Sequence, residues 1–98
     1  MEIAIIGAGN VGAALATAWS RAGHSIRLGV RDVGKHQGLI NKTGAEGLAP
    51  AEAAQGAEVI VLALPYAAVE PTVRGLGPLG GKILIDATNP LTVGSTAA

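Results

Sequence analysis

Residues 3 to 19 read IAIIGAGNVGAALATAW, and the three glycines in that run, Gly7, Gly9 and Gly12, constrain the chain more than any other feature. They follow Ile3 to Ile6, a short branched apolar run of the kind that forms a strand covered on both faces. Beyond them Val11, Ala14, Leu15, Ala18, Trp19 and Ala22 recur at three and four residue steps, which predicts a helix with those residues on its apolar face. Gly23 stands where a helix C-cap belongs. Strand, glycine turn and helix together make a mouth at the strand's end. Gly7 permits the tight turn, Gly12 lets the helix pack close to the sheet, and a missing Cβ at Gly9 lets a bulky, doubly charged group approach the backbone. Amides around Asn10 and Val11, helped by the helix dipole, can face phosphate oxygens, so no basic side chain is required there. Such a glycine pattern alone also fits an ordinary turn. Its setting between a buried strand and a helix, with a second strand following, points to a dinucleotide held by Gly7, Ala8, Gly9, Asn10, Val11 and Gly12.

The rest of the chain repeats the alternation. Ser25 to Val30 reads as a second strand with Ile26, Leu28 and Val30 on one face, ended by Arg31 and Asp32. Gly34 to Thr43 is polar and reads as loop with a short helix; Ala45 to Leu48 reads as a brief third strand. Pro50 suits the first turn of a helix through Gln55, Gly56 ends it, and Val59 to Leu64 is a strong strand. Ala67 to Arg74 reads as a helix limited by Pro71, and Gly80 and Gly81 turn the chain into a last strand, Lys82 to Asp86. Strands alternating with helices predict an α/β domain whose parallel sheet has the order 3-2-1-4-5, with right-handed crossovers and helices on both faces. The order reverses beside the first strand, leaving a crevice at the carboxyl ends where ligands bind.

Composition narrows the functions open to such a fold. The 98 residues make one domain, and with 49% hydrophobic and 14% charged residues they suit a compact core rather than disorder. Trp19 and Tyr66 are the only aromatics, so that core is aliphatic. Seven basic side chains balance seven acidic ones, so no broad field attracts nucleic acid or an anionic membrane. The absence of cysteine excludes disulfides, thiolate catalysis and thiolate-bound metal, and no metal site is expected. No basic leader signature accompanies Met1, Glu2 and Ile3, and Pro65 interrupts the longest apolar run, so the expectation is a soluble, cytoplasmic chain.

The strand ends supply the remaining candidates. An acidic residue about 20 positions after the glycines usually binds the adenosine ribose in NAD sites. Here that neighbourhood reads LGVRD, with Gly29 leaving room where a carboxylate would otherwise stand and Arg31 offering a permanently charged fork to a 2′-phosphate. NADP is the favoured cofactor. Two other readings stay open: Arg31 paired with Asp32 at a solvated strand end, and Asp32 holding the ribose hydroxyls. Lys35 and His36 read as surface residues that could add positive charge. Ala63, Leu64, Pro65 and Tyr66 after the fourth strand would wall the ribose and nicotinamide, with Tyr66 equally fit for packing. Thr88 and Asn89 after the fifth could hydrogen-bond cofactor or substrate, or simply start a turn before Pro90. His24 suits the C-terminal dipole of the first helix better than catalysis, and Trp19 reads as core.

The stretches IAIIGAGNVGAALA, AGHSIRLGVRD, EVIVLALPYAAV and GKILIDATNPL together resemble the N-terminal domain of the deazaflavin-dependent NADP reductases, which exchange hydride between NADP and coenzyme F420. The resemblance spans nearly the whole chain and implies a Rossmann-like fold, an oxidoreductase function and NADP as cofactor, with the deazaflavin as co-substrate. It implies that the position of Val30, usually serine or threonine in the family, lies at the 2′-phosphate; valine cannot hold it, so Arg31 carries more of that contact. Hydride transfer between two bound rings needs proximity and exclusion of water, so no catalytic side chain is expected. Family members continue past the DATNPL segment with another strand and a helical portion that covers the deazaflavin. The expectation is therefore that a homodimer or a covering chain completes the site, or that the chain binds or senses NADP(H) without catalysis. Imine and hydroxy-acid reductases are the competing enzyme class.

Overall fold

Ile3, Ala4, Ile5 and Ile6 are all buried because β1 (Glu2–Ile6) is the middle strand of five in a computed structural model of the chain, which describes residues 1–87. The other strands are β2 (Ser25–Gly29), β3 (Glu46–Leu48), β4 (Val59–Leu62) and β5 (Ile83–Asp86). Every pairing is parallel and the order is β3-β2-β1-β4-β5, the Rossmann-like arrangement expected from the alternation. The helices are α1 (Asn10–Arg21), α2 (Gln37–Thr43), α3 (Pro50–Gln55) and α4 (Val69–Gly75), with 3₁₀ turns at Val33–His36 and Tyr66–Ala68.

Because side chains alternate along a strand, β1 serves two cores. Ile3 and Ile5 join Ile26, Leu28, Val30, Val59 and Val61 on the face covered by α1 and α2. Ala4 and Ile6 join Ile60 and Leu62 on the face covered by α3 and α4, against Ala53, Ala54 and Leu76. Each fully buried branched side chain removes enough apolar area to contribute about 1.5–3 kcal/mol. A domain without phenylalanine is held by many such contributions rather than by a few large rings.

The apolar face of α1 differs from the expected one. The residues buried in α1 are Gly12 and Ala16, with Leu15 and Trp19 packed half-buried beside them. Val11, Ala14, Ala18 and Ala22 are exposed. A helix start made of valine, glycine and alanine fits several rotations about its axis equally well, and contact of Gly12 with the turn at Gly7 selects one of them. Trp19 joins the core as expected, and Gly23, at φ +94°, reverses the chain just past the helix, where the main-chain amide of His24 donates to Trp19 O.

Other boundaries moved as well. β4 ends at Leu62 rather than Leu64, and the amide of Ala63 makes the last ladder bond, to Ile6 O at 2.9 Å. The helix expected from Ala67 begins as a 3₁₀ turn and becomes α4 at Val69, which places Pro71 in the first turn, where its missing N–H costs nothing. Among the described residues no helix is long and apolar enough to cross a membrane, and no three histidine, cysteine or carboxylate residues gather as a metal site would need.

Candidate functional site

The turn after β1 is built from main chain alone. Gly7 still donates to Gly29 O at 2.9 Å and then turns the chain at φ +107°. A Cβ on Gly7 would collide with the carbonyl oxygen of Ala63, and one on Gly12 with the carbonyl oxygen of Gly7. The first turn of α1 therefore rests directly on the loop that precedes it. Gly9 is different: a Cβ there would meet nothing within 4 Å, so the space beside it belongs to no part of the described chain.

Gly9 is also the N-cap of α1, and the first intrahelical bond runs from the amide of Ala13 to Gly9 O at 2.8 Å. The amides of Asn10, Val11 and Gly12 precede it and have no acceptor within the helix. No side chain caps them and no acidic residue lies in the first turn. Open space, unpartnered donors and the positive end of a 12-residue helix meet at one point, the arrangement that suits a diphosphate.

Two cavities flank this turn. One, of about 390 Å³, is lined by Gly7, Ala8, Gly29, Val30, Arg31, Asp32, Lys35, His36, Pro50, Leu64, Ala68 and Thr72. The other, of about 220 Å³, is lined by Gly9, Asn10, Val11, Ala63, Leu64, Pro65 and Ala87. The candidates from the ends of β1, β2 and β4 thus converge on one crevice, with Leu64 on both sides of it. Gly12 lines neither cavity; it sets how closely the helix approaches. Tyr66 opens the 3₁₀ turn beside the crevice, and Thr88 and Asn89 lie outside the described residues.

Several readings at the end of β2 change in three dimensions. Gly29 leaves no room for a ligand: a Cβ there would stand 2.7 Å from Ile6 Cδ1 and 3.0 Å from Pro50 Cα. Its glycine is explained by the close seat of α3 on β2. Gly29→Ala should therefore cost about 1–3 kcal/mol of stability through overpacking, measured as a lower denaturant midpoint. Val30 is buried in the core with Ile26 and Leu28 and is also among the residues that line the cavity.

Arg31 and Asp32 are both exposed, and among the described residues Arg31 makes no ion pair, with Asp32 or any other carboxylate. The 3₁₀ turn, closed by the amide of Lys35 donating to Asp32 O at 3.1 Å, curls Lys35 and His36 back onto the cavity. Lys35 is exposed and His36 half-buried, surface residues that also line the cavity. Three nitrogen-bearing side chains gather around one wall, and only the spacing of Lys35 and His36 four and five residues after Arg31 hinted at it.

Residues 2–90 match the family described as NADP oxidoreductase, coenzyme F420-dependent. No curated protein matches the chain. Among solved structures, a protein of Arthrobacter sp. FB24 that carries the assignment of an F420-dependent NADP reductase shares 32% identity at a TM-score of 0.84, over 92% of this chain and 46% of that one. A reductive aminase of Aspergillus terreus, solved with NADPH and ethyl-5-oxohexanoate, shares 32% identity at a TM-score of 0.78, over 90% of this chain and 31% of its own. A Streptomyces aurantiacus imine reductase shares 26% at 0.78, over 90% and 32%. The chain thus spans less than half of each of these proteins. With the family match covering nearly all of its length, the chain belongs to the coenzyme F420-dependent NADP oxidoreductase family.

Proposed function

We propose that this chain is the NADP(H)-binding domain of an oxidoreductase that moves hydride between NADP and a deazaflavin coenzyme. The observation that carries the reading is the crevice itself, where the bare turn from Gly7 to Gly12 meets a wall bearing Arg31, Lys35 and His36. A diphosphate against the amides of Asn10 and Val11 leaves the adenosine end of the nucleotide on the β2 side, within the larger cavity. There a 2′-phosphate has a guanidinium with no carboxylate partner among the described residues, and a lysine beside it. The nicotinamide end lies on the β4 side, against Ala63, Leu64 and Pro65.

Bound NADPH supplies a hydride, two electrons and a proton together, to the acceptor ring. The chain's own contribution is to hold the dinucleotide extended across the sheet, to fix its phosphates with backbone donors and to keep one wall of the nicotinamide site dry with small apolar residues. The proton that completes reduction of the acceptor would come from solvent, so no side chain of this chain has to supply it. Cationic selectivity at the far end discriminates NADP from NAD by one phosphate.

Calorimetric titration with NADPH and NADH tests the assignment of Arg31. Arg31→Ala should cost NADPH on the order of 1.5–3 kcal/mol, the range for hydrogen bonds to a charged group, and leave NADH nearly unchanged. Equal losses for both nucleotides would refute it. The 32% identity with a reductive aminase favours a second reading, in which the same nucleotide domain serves imine reduction. Oxidation of NADPH by a deazaflavin, compared with oxidation by a cyclic imine, separates the two. Tight NADPH binding with neither acceptor consumed supports a binding or sensing module.

A further inference from the structure

The larger cavity is lined by four ionisable side chains, Arg31, Asp32, Lys35 and His36, all from the stretch between β2 and α2. The residues that the β4 end, α3 and α4 add to it, Leu64, Pro50, Ala68 and Thr72, bring no charge. Arg31 and Lys35 against the Asp32 carboxylate leave an excess of one positive charge there. A phosphate monoester carries about −1.5 to −2 near neutral pH, so a 2′-phosphate entering the cavity turns that excess negative. His36 is the lining group placed to answer it, because an imidazole changes charge between about pH 5 and 8. It is half-buried, and among the described residues its ring makes no hydrogen bond or ion pair. Of the elements packed against its 3₁₀ turn, α2 carries Lys42 and β3 carries Glu46. Neither lines the cavity, and Glu46 faces Arg27 at 3.9 Å in a separate one at the amino ends of the strands.

Resting on the nucleotide reading above, we propose that His36 is a proton-coupled determinant of the choice between NADP and NAD. The 2′-phosphate binds together with one proton held on the His36 imidazole, and the imidazolium supplies the positive charge that Arg31 and Lys35 leave wanting beside Asp32. That proton comes from the solvent and returns to it when the nucleotide leaves. An adjacent anion favours the charged form of an imidazole, so the phosphate raises the midpoint at which His36 loses its proton. NADP binding is therefore strengthened below the midpoint of the free protein, and the gain is lost as pH rises through the midpoint of the complex. NAD lacks the phosphate and is indifferent to His36. The second ionisation of the phosphate, near pH 6, works in the opposite direction and is nearly complete by about pH 7, which leaves the histidine's contribution visible above it.

Histidine NMR reads this directly, since the chain has only two histidines and His24 lines the separate cavity with Glu2 and Arg27. With saturating NADP the His36 midpoint should rise by about one pH unit, a tenfold difference in affinity between its two protonation states. Saturating NAD should leave it in place, and His24 should move with neither nucleotide. Calorimetry on the same protein should show the ratio of NADP to NAD affinity falling by about threefold between about pH 7 and 8.5, the change such a shift produces from an ordinary histidine range. In His36→Asn that fall should vanish. Asparagine suits the N-cap position that His36 holds at the start of α2, so the variant keeps the turn and its melting temperature checks this. NADP that binds without moving the His36 midpoint, or a pH profile unchanged in His36→Asn, would overturn the proposal and leave the nucleotide site standing. No binding of either nucleotide at any pH would instead remove the nucleotide reading, and this role of His36 with it.

Discussion

Gly9→Val should reduce NADPH affinity by on the order of a hundredfold, ~2.8 kcal/mol, in a protein that remains folded. The reason for separating the two effects is geometric. A Cβ at position 9 meets no atom of the described chain, and the residue has an extended conformation, φ −74° and ψ −165°, that a branched side chain adopts without strain. Stability should fall by no more than about 1 kcal/mol, the cost of a poorer N-cap. The added branches occupy the space beside the amides of Asn10 and Val11, so a diphosphate can no longer reach them. Calorimetry with NADPH and a thermal melt on the same sample give both halves of the result. Unchanged affinity would remove the basis for placing the diphosphate at this helix, and with it the nucleotide reading.

Gly7→Ala should behave in the opposite way, losing the fold and the binding together. Its φ of +107° lies in the region that side chains rarely adopt, and its Cβ would run into the Ala63 carbonyl, a backbone atom that cannot move without shifting the end of β4. Strain of about 1–3 kcal/mol adds to overpacking of a similar size. A domain of this length has about 5–15 kcal/mol in all, at the usual stability per residue. Urea unfolding should therefore show the midpoint lowered by a large part of its value. A midpoint within error of the parent protein would mean that the turn relaxes, and that Gly7 is not fixed by the contact with Ala63. Two glycines two residues apart thus make separable predictions, because one faces a ligand and the other faces the protein's own backbone.

The strand order and the place of the crevice were legible in the sequence because they depend on local chemistry. Runs such as IAII and VIVL are short, branched and continuous as strands buried on both faces are, Gly23 and Pro50 punctuate helices by their own φ preferences, and parallel neighbours require crossovers. What periodicity could not supply was phase. In a helix of alanine, glycine and valine every rotation looks apolar, and the contact between Gly12 and Gly7 O decided that Ala16 goes inward while Val11 and Ala14 stay out. The same limit applied at β2. Gly29 looked like space for a ligand and proved to be space for Pro50 and Ile6, and a 3₁₀ turn set Lys35 and His36 along the cavity that Arg31 also lines. In each case the deciding atom lies far along the chain or across a turn. Sequence alone determined which elements form and where main chain is bare, since each residue carries those preferences itself; only the tertiary structure decided which face, neighbour and cavity each residue meets, since that depends on close packing between distant segments.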